Sequence, residues 1–174
     1  LQESAGVSPV VAQLLICRGI RDANAAREFL DPKLTDLRDP NLLPNCAAAA
    51  EKLHQAIRDG RRITVYGDYD VDGMTGTAIL LKCLRLLGTE ANYYVPSRID
   101  EGYGLNQEAV RSLAERGTQV LVTVDCGIAS VAEAETAREL GIDLIITDHH
   151  EPAERLPDAQ AIVHPSLPGQ DYPF

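Results

Sequence analysis

The sequence predicts an α/β fold, a parallel β-sheet flanked by helices on both faces, with a helical N-terminal extension. Three observations carry that expectation. Five short runs, "RITVY" (62–66), "NYYV" (92–95), "QVLVTV" (119–124), "DLIIT" (143–147) and "QAIV" (160–163), are mostly continuous apolar stretches. That pattern suits strands buried on both faces, as in a parallel sheet. Helical stretches separate the first four: "TGTAILLKCLRLLG" (75–88), "NQEAVRSLAERG" (106–117) and "SVAEAETARELG" (130–141). Each closes on a glycine, Gly88, Gly117 or Gly141, which can take the left-handed turn that ends a helix. Strand and helix alternating at this spacing give βαβ units. Third, the polar clusters of the chain fall directly after the strand candidates.

Taken in order, the chain opens with helices. Ser8-Pro9 is a helix start, a hydroxyl cap followed by a proline whose missing N–H costs nothing at the first position. The apolar "VVAQLLI" follows, with Gly19 as its stop, and Asp22 is placed to cap a second helix ending near Leu30. A connector rich in Pro and Asp, "DPKLTDLRDPNLLPN", leads to Asn45, the expected cap of an Ala-rich helix through Ile57. Residues 1–44 are thus expected as a helical extension and connector, and 45–174 as the α/β domain.

Composition bounds the function. The 174 residues are 45% hydrophobic and 24% charged, ordinary for a globular protein with a sizeable core. Formal charge is 16 − 26 = −10, which excludes a generally basic nucleic-acid surface on this chain. A nucleic-acid substrate stays open, because bound divalent cations would invert the sign locally. Cys17, Cys46, Cys83 and Cys126 are scattered without a C-x-x-C pair, so a reducing, cytoplasmic setting is expected rather than disulfides or zinc. No apolar run reaches transmembrane length, and no membrane role is expected. The first residue is Leu and the chain stops at "DYPF", from which a segment of a longer protein is expected.

The chemistry collects at one edge. Asp68, Asp70 and Asp72 follow "TVY"; Ser97 and Arg98 follow "YYV"; Asp125 follows "VTV". Asp148, His149 and His150 follow "IIT", and His164 follows "AIV". All of these lie beyond the C-terminal ends of predicted parallel strands, where open α/β sheets bind ligands. An aspartate after a strand can equally cap the next helix, and a lone "DHH" can be turn chemistry. Three clusters at one edge are harder to explain that way. Carboxylates and imidazoles sharing one crevice need cations between them.

"GDYDVDG" (67–73) admits three readings. As a calcium loop, Asp68, Asp70, Asp72 and Gly73 match positions 1, 3, 5 and 6, but Ile79 stands where the closing Glu belongs, and the flanks read strand then helix. As a D-x-D-G-x-T loop it resembles the nucleophile loop of haloacid-dehalogenase-type phosphatases, which leaves both histidines without a task. As one wall of a two-metal site it uses every cluster. Mn²⁺ would be favoured over Mg²⁺ by the nitrogen donors. Two such ions roughly 3.5–4 Å apart polarise a phosphodiester and acidify water.

"GDYDVDG", "SRIDEGYGLN", "VTVDCGI" and "TDHHEP" resemble, in order, the motifs of the DHH phosphoesterase superfamily, and most of all its RecJ branch of single-strand-specific exonucleases. The resemblance runs from about Arg61 to about Pro165. It implies Asp70 and Asp72 as metal-binding carboxylates, Asp125 as the carboxylate bridging two ions and His149 as the imidazole ligand. His150 would face the scissile phosphate, Asp148 would orient an imidazole, and Asp68 would be a ligand or a neighbour that supports one. Arg98, with Ser97 nearby, would hold a substrate phosphate.

The implied activity is two-metal hydrolysis of single-stranded DNA from the 5′ end, in DNA repair and recombination. Single-strand-binding protein and a DNA helicase are the implied partners. The family supplies a further metal-ligating Asp beyond its DHH motif and a second, glycine-rich domain. Neither precedes Phe174, so a half-built site unable to cleave alone is expected. The alternatives are a DHH phosphodiesterase acting on short oligonucleotides or cyclic dinucleotides, and a non-catalytic binding module like Cdc45.

Overall fold

In the computed structural model, residues 1–97, 99, 102–170 and 172 are described. The chain forms two compact units, Leu1–Asp39 and Pro40–Phe174. The first is helical: α1 (Gln2–Ala5), α2 (Pro9–Cys17) and α3 (Ala23–Leu30), followed by a 3₁₀ turn at Leu34–Asp36. Its boundaries follow from capping. Ser8 Oγ accepts the Val11 N–H at 3.3 Å, and Asp22 Oδ1 accepts those of Asn24 and Ala25 at 3.0 and 2.9 Å. Gly19 (φ +82°) follows α2, as its sequence position predicted. Arg27 ties α3 to α1 by donating to the Ser4 carbonyl at 2.9 Å.

The second unit begins with a 3₁₀ turn at Pro40–Leu42 and α4 (Cys46–Arg58). Then come β1 (Ile63–Gly67), α5 (Val71–Leu86), β2 (Asn92–Tyr94), α6 (Gln107–Glu115), β3 (Val120–Val124), α7 (Val131–Glu139), β4 (Asp143–Thr147) and β5 (Ala161–Val163). Among the described residues the strands form one sheet in the order β2-β1-β3-β4-β5, and every pairing is parallel. The predicted α/β class is the one observed. From β1 the chain steps outward to β2, then returns past β1 to β3 and continues to β5. The winding direction therefore reverses between β1 and β3, and loops leave that point in opposite directions. In open α/β sheets ligands bind at such a point, beyond the carboxyl ends of the strands.

Two apolar layers sandwich the sheet. On one face Tyr66, Leu121, Leu144 and Ile146 pack with Val110 and Leu113 of α6 and Ala134 and Ala137 of α7. On the other, Ile63, Val65, Val122 and Ile145 pack with Ala49 and Ala56 of α4 and Leu84 of α5. Burial on both faces is why these strands read as unbroken apolar runs. β2, a short edge strand, alternates instead: Tyr93 is exposed while Tyr94 stacks on Tyr66 at 5.1 Å between ring centroids.

Two local expectations need correction. α5 starts at Val71, four residues before the predicted Thr75, because Asp70 rather than a later residue caps it. Asp72 consequently lies inside the first turn. Asn45 stands at the head of α4 but in a left-handed conformation (φ 60°), and its side chain caps nothing. Its Nδ2 donates instead to the Ile162 carbonyl at 2.9 Å, fastening α4 to β5.

Candidate metal centre

The strand ends are in register. Gly67 pairs with Val124, Val124 with Thr147, and Thr147 with Val163. The next residue on each strand therefore falls in one row: Asp68, Asp125, Asp148 and His164. Backbone bonds hold the row together. The N–H of Asp68 donates to the Val124 carbonyl at 3.1 Å, that of Asp125 to Thr147 at 2.9 Å, and that of Asp148 to Val163 at 3.1 Å. All four residues are buried. Asp125 adopts φ +65°, a left-handed conformation uncommon for a residue with a Cβ and found preferentially at functional sites.

Helix α5 presses against this row. A Cβ at Gly73 would lie 2.6 Å from the Asp68 carbonyl oxygen, and one at Gly76 would lie 2.7 Å from Val124 Cγ1. Gly73 lets the helix start approach the backbone that follows β1, and Gly76 lets it approach the Val124 side chain of β3. The approach brings Asp70 and Asp72 alongside the row. Asp70 caps the helix, its Oδ1 accepting the Gly73 N–H at 3.0 Å. That bond, and then the neighbouring Asp72 side chain, hold the exposed Asp70 carboxyl below its ordinary pKa.

Three buried carboxylate oxygens here lack protein donors. Asp68 Oδ1 and both oxygens of Asp125 are enclosed without a hydrogen-bond partner. Burial, followed by the charges of Asp72 and Asp70, pushes the Asp125 pKa up to about 6. Burial likewise raises that of Asp68. Such groups are costly unless paired, protonated or bound to a metal. One ligand atom from each of Asp68, Asp70 and Asp125 lies within 4.8 Å of the others, and the same holds for Asp125, His149 and His150. Asp125 belongs to both groups. Oxygen donors with one or two imidazoles fit a divalent transition metal, so the donor set and the orphaned oxygens agree on a cation.

The two histidines sit in a turn after β4 that Asp148 organises. Asp148 Oδ1 accepts the N–H of His149 at 2.7 Å, that of His150 at 3.1 Å, and lies 2.7 Å from His150 Nδ1. Its Oδ2 accepts the Ile128 N–H at 2.9 Å. Burial alone would raise the pKa of this carboxyl, but the bonds from Ile128, His150 and His149 lower it overall. The Asp148 bond in turn raises that of His150, against the effect of burial. Tyr103 OH lies 2.8 Å from the same Nδ1, and burial raises the phenol's pKa, keeping it protonated. His149 Nε2 stands 2.8 Å from Asp125 Oδ1 and 3.6 Å from Asp72 Oδ2.

The structure thus gathers Asp68, Asp70, Asp72, Asp125, Asp148, His149 and His150 at one edge of the sheet. Asp72 lies outside both donor groups, and its contact is with His149. Ser97, expected at a substrate phosphate, lies just beyond β2 and is half-buried; Arg98 lies outside the described residues. Cys126 is buried, and burial pushes its thiol pKa far up, which fits a packing role. His54 is exposed on α4.

In the sequence Gly73 reads only as a turn residue and Tyr103 only as part of "SRIDEGYGLN", with no contact for either and no role for Gly76. The signal for Gly73 and Gly76 was present, two glycines inside an otherwise helical run. Nothing in "SRIDEGYGLN" tells that Tyr103 reaches His150; its loop is held by a bond from the buried Tyr66 hydroxyl to the Gly104 carbonyl at 3.0 Å.

Residues 62–171 match the DHH family, N-terminal domain. The chain belongs to the DHH family. This DHH chain is 49% identical, over its whole length, to 22% of the single-stranded-DNA-specific exonuclease RecJ of Bacillus subtilis strain 168. It is 41% identical, over 97% of its length, to 29% of RecJ of Escherichia coli strain K12.

Among solved structures, this DHH chain is similar to a crystal structure of exonuclease RecJ bound to manganese. There the TM-score is 0.68 at 43% identity, covering 73% of this chain and 32% of the other. A second is RecJ of Thermus thermophilus in complex with Mn²⁺, with TM-score 0.68 and 36% identity, covering 97% and 23%. CDC45 of Entamoeba histolytica shares the fold at 17% identity, with TM-score 0.51, covering 72% and 26%. The chain spans about a quarter of the length of the RecJ relatives it matches.

Proposed function

We propose that this chain carries most of the metal-binding half of a single-strand-specific DNA exonuclease, a hydrolase acting from the 5′ end in DNA repair and recombination. The observation that supports it most is the pair of donor groups sharing Asp125, whose two oxygens are buried without protein partners. In this reading Asp125, shared by both donor groups, would help hold two divalent ions, with Mn²⁺ preferred to Mg²⁺. Asp70 and Asp72 on one side, and His149 on the other, complete the ligands the chain supplies. Asp68 lies close enough to join them. Bound there, the ions would polarise a phosphodiester and lower the pKa of water.

The chain's own residues do the rest. Asp148 fixes the orientation of His150, whose raised pKa suits donation to a phosphate oxygen. Ser97 and Arg98 hold a further phosphate. The site concentrates carboxylates, so metal must neutralise it before a polyanion can enter. Single-stranded DNA is the substrate in this reading, with single-strand-binding protein and a helicase as partners and the cytoplasm as the setting. No helix among the described residues is long and apolar enough to cross a membrane.

The relatives' additional length supplies what this half lacks, so the chain alone binds metal but does not cleave. The test is twofold. Calorimetry of the chain with MnCl₂ should show binding that Asp125→Ala removes. A 5′-labelled single-stranded oligonucleotide should be degraded, with Mn²⁺, only by a chain extended to the relatives' length. Manganese binding unaffected by Asp125→Ala sinks the assignment of Asp125, and robust cleavage by the 174 residues alone sinks the half-site.

A further inference from the structure

The fourth member of the strand-end row is not a carboxylate. His164 follows β5 directly and is fully buried (0% exposed). Both ring nitrogens are engaged. The Ser166 N–H donates to Nδ1 at 3.0 Å, so Nδ1 carries no proton and the hydrogen sits on Nε2. That Nε2–H donates to the His150 carbonyl at 2.7 Å. The tautomer is thus set by the hydrogen-bond network.

The turn bearing His149 and His150 belongs to no strand or helix. From within, Asp148 holds its two amide N–H groups. The carbonyl of His150 is held from outside, by a side chain fourteen residues on. β5 is only three residues long and is an edge strand, with no further strand among the described residues to which His164 could pair. The side chain therefore makes the link that a backbone ladder makes for Asp68, Asp125 and Asp148. It carries the row around the corner to the two-histidine turn.

We infer that His164 is a positioning residue: its Nε2–H clamps the His150 carbonyl and fixes the two-histidine turn against the metal-binding row. The consequence for turnover rests on the exonuclease reading above; the clamp itself does not. Two substitutions separate the ring's two bonds. His164→Asn keeps an acceptor near the Nδ1 position but is too short to reach His150. His164→Gln places an N–H donor near the Nε2 position.

Hydrogen exchange on the 174-residue chain reads the clamp directly. His164→Asn should speed exchange at the His149 and His150 amides by about tenfold or more, with β4 and β5 amides unchanged, and His164→Gln should return them to within about threefold of wild type. Wild-type exchange in His164→Asn overturns the proposal, as does a Gln variant no closer to wild type than Asn. General loss of protection across β4 and β5 also overturns it, since the role is then plain packing.

Should neither variant fold, long-range ¹H–¹⁵N correlation of the wild-type ring decides. An Nε2–H tautomer is expected at neutral pH; an Nδ1–H or doubly protonated ring refutes the clamp. In the extended protein, His164→Asn should lower kcat about tenfold with KM within about twofold, and Gln should restore it. A wild type that fails to cleave single-stranded DNA defeats the exonuclease reading, while amide exchange still decides the role of His164.

Discussion

His149 Nε2 and Asp125 Oδ1 are 2.8 Å apart and share no hydrogen bond. Two donors so close and yet misaligned face a common point rather than each other. The half-buried turn of one and the left-handed backbone of the other keep them there.

That relationship gives a pH dependence of known sign. Burial raises the Asp125 pKa to about 6 from the ordinary value of 3.8, so the native state without metal favours the protonated carboxyl. Its stabilising contribution is complete below the unfolded pKa of about 4 and is lost as pH rises through about 6, about 3 kcal/mol in all. Thermal melts of the chain in chelator should therefore fall over that window, and Asp125→Asn should flatten the fall. With Mn²⁺ present the sign reverses, because the ligand must be deprotonated, and the same variant should lose the metal-induced rise. A metal-free melting temperature indifferent to Asp125→Asn contradicts the assignment.

Asp148 gives the opposite sign. Against the effect of burial, three backbone N–H donors and the His150 ring depress its pKa. The stability it adds is present above about pH 4 and disappears as pH falls through its lower folded value. Asp148→Asn should cost about 1–3 kcal/mol at neutral pH and much less in strong acid, below the folded pKa. Equal costs under both conditions would mean that charge plays no part.

The two histidines should separate in binding and rate. His150→Ala leaves manganese affinity of the chain within about threefold while reducing kcat of the extended protein by about 10²-fold or more. His149→Ala should weaken manganese binding itself. Calorimetry showing the reverse order would exchange their assignments.

Helix α5 can be tested by crowding. Gly73→Ala brings a methyl against the Asp68 backbone, which cannot swing aside, whereas Gly76→Ala meets only the Val124 side chain. Either gains up to about 1 kcal/mol of helix propensity, and overpacking opposes it by about 1–3 kcal/mol. Urea midpoints should rank wild type above Gly73→Ala, with Gly76→Ala the milder change. Metal affinity should fall in the same order.

The fold was legible because its strands are buried twice over, which leaves continuous apolar runs between glycine-stopped helices. Placement of the acids after those strands marks one edge as the candidate site in the sequence itself. What sequence hid were effects of register and approach. The start of α5 moved four residues because a capping aspartate and a metal-site aspartate look alike in one dimension. Asn45 reads as a cap, yet its amide is spent on β5. His164 reads as one more polar residue at the strand-end edge, and its partner carbonyl is local only in three dimensions. Tyr103 stands in a recognisable motif, but nothing there tells that its hydroxyl reaches His150.

The in-register row has a consequence for how such a site tolerates change. Its spacing is a property of the ladder, so the four strands act as teeth of a comb whose pitch is fixed by peptide geometry. Helices and loops between teeth can lengthen without moving any tip. A single residue inserted within β3 would instead slide Asp125 off the row and turn its neighbours to the opposite face. New chemistry at this edge is therefore reached by replacing a tip, one strand at a time, and hardly ever by altering a tooth.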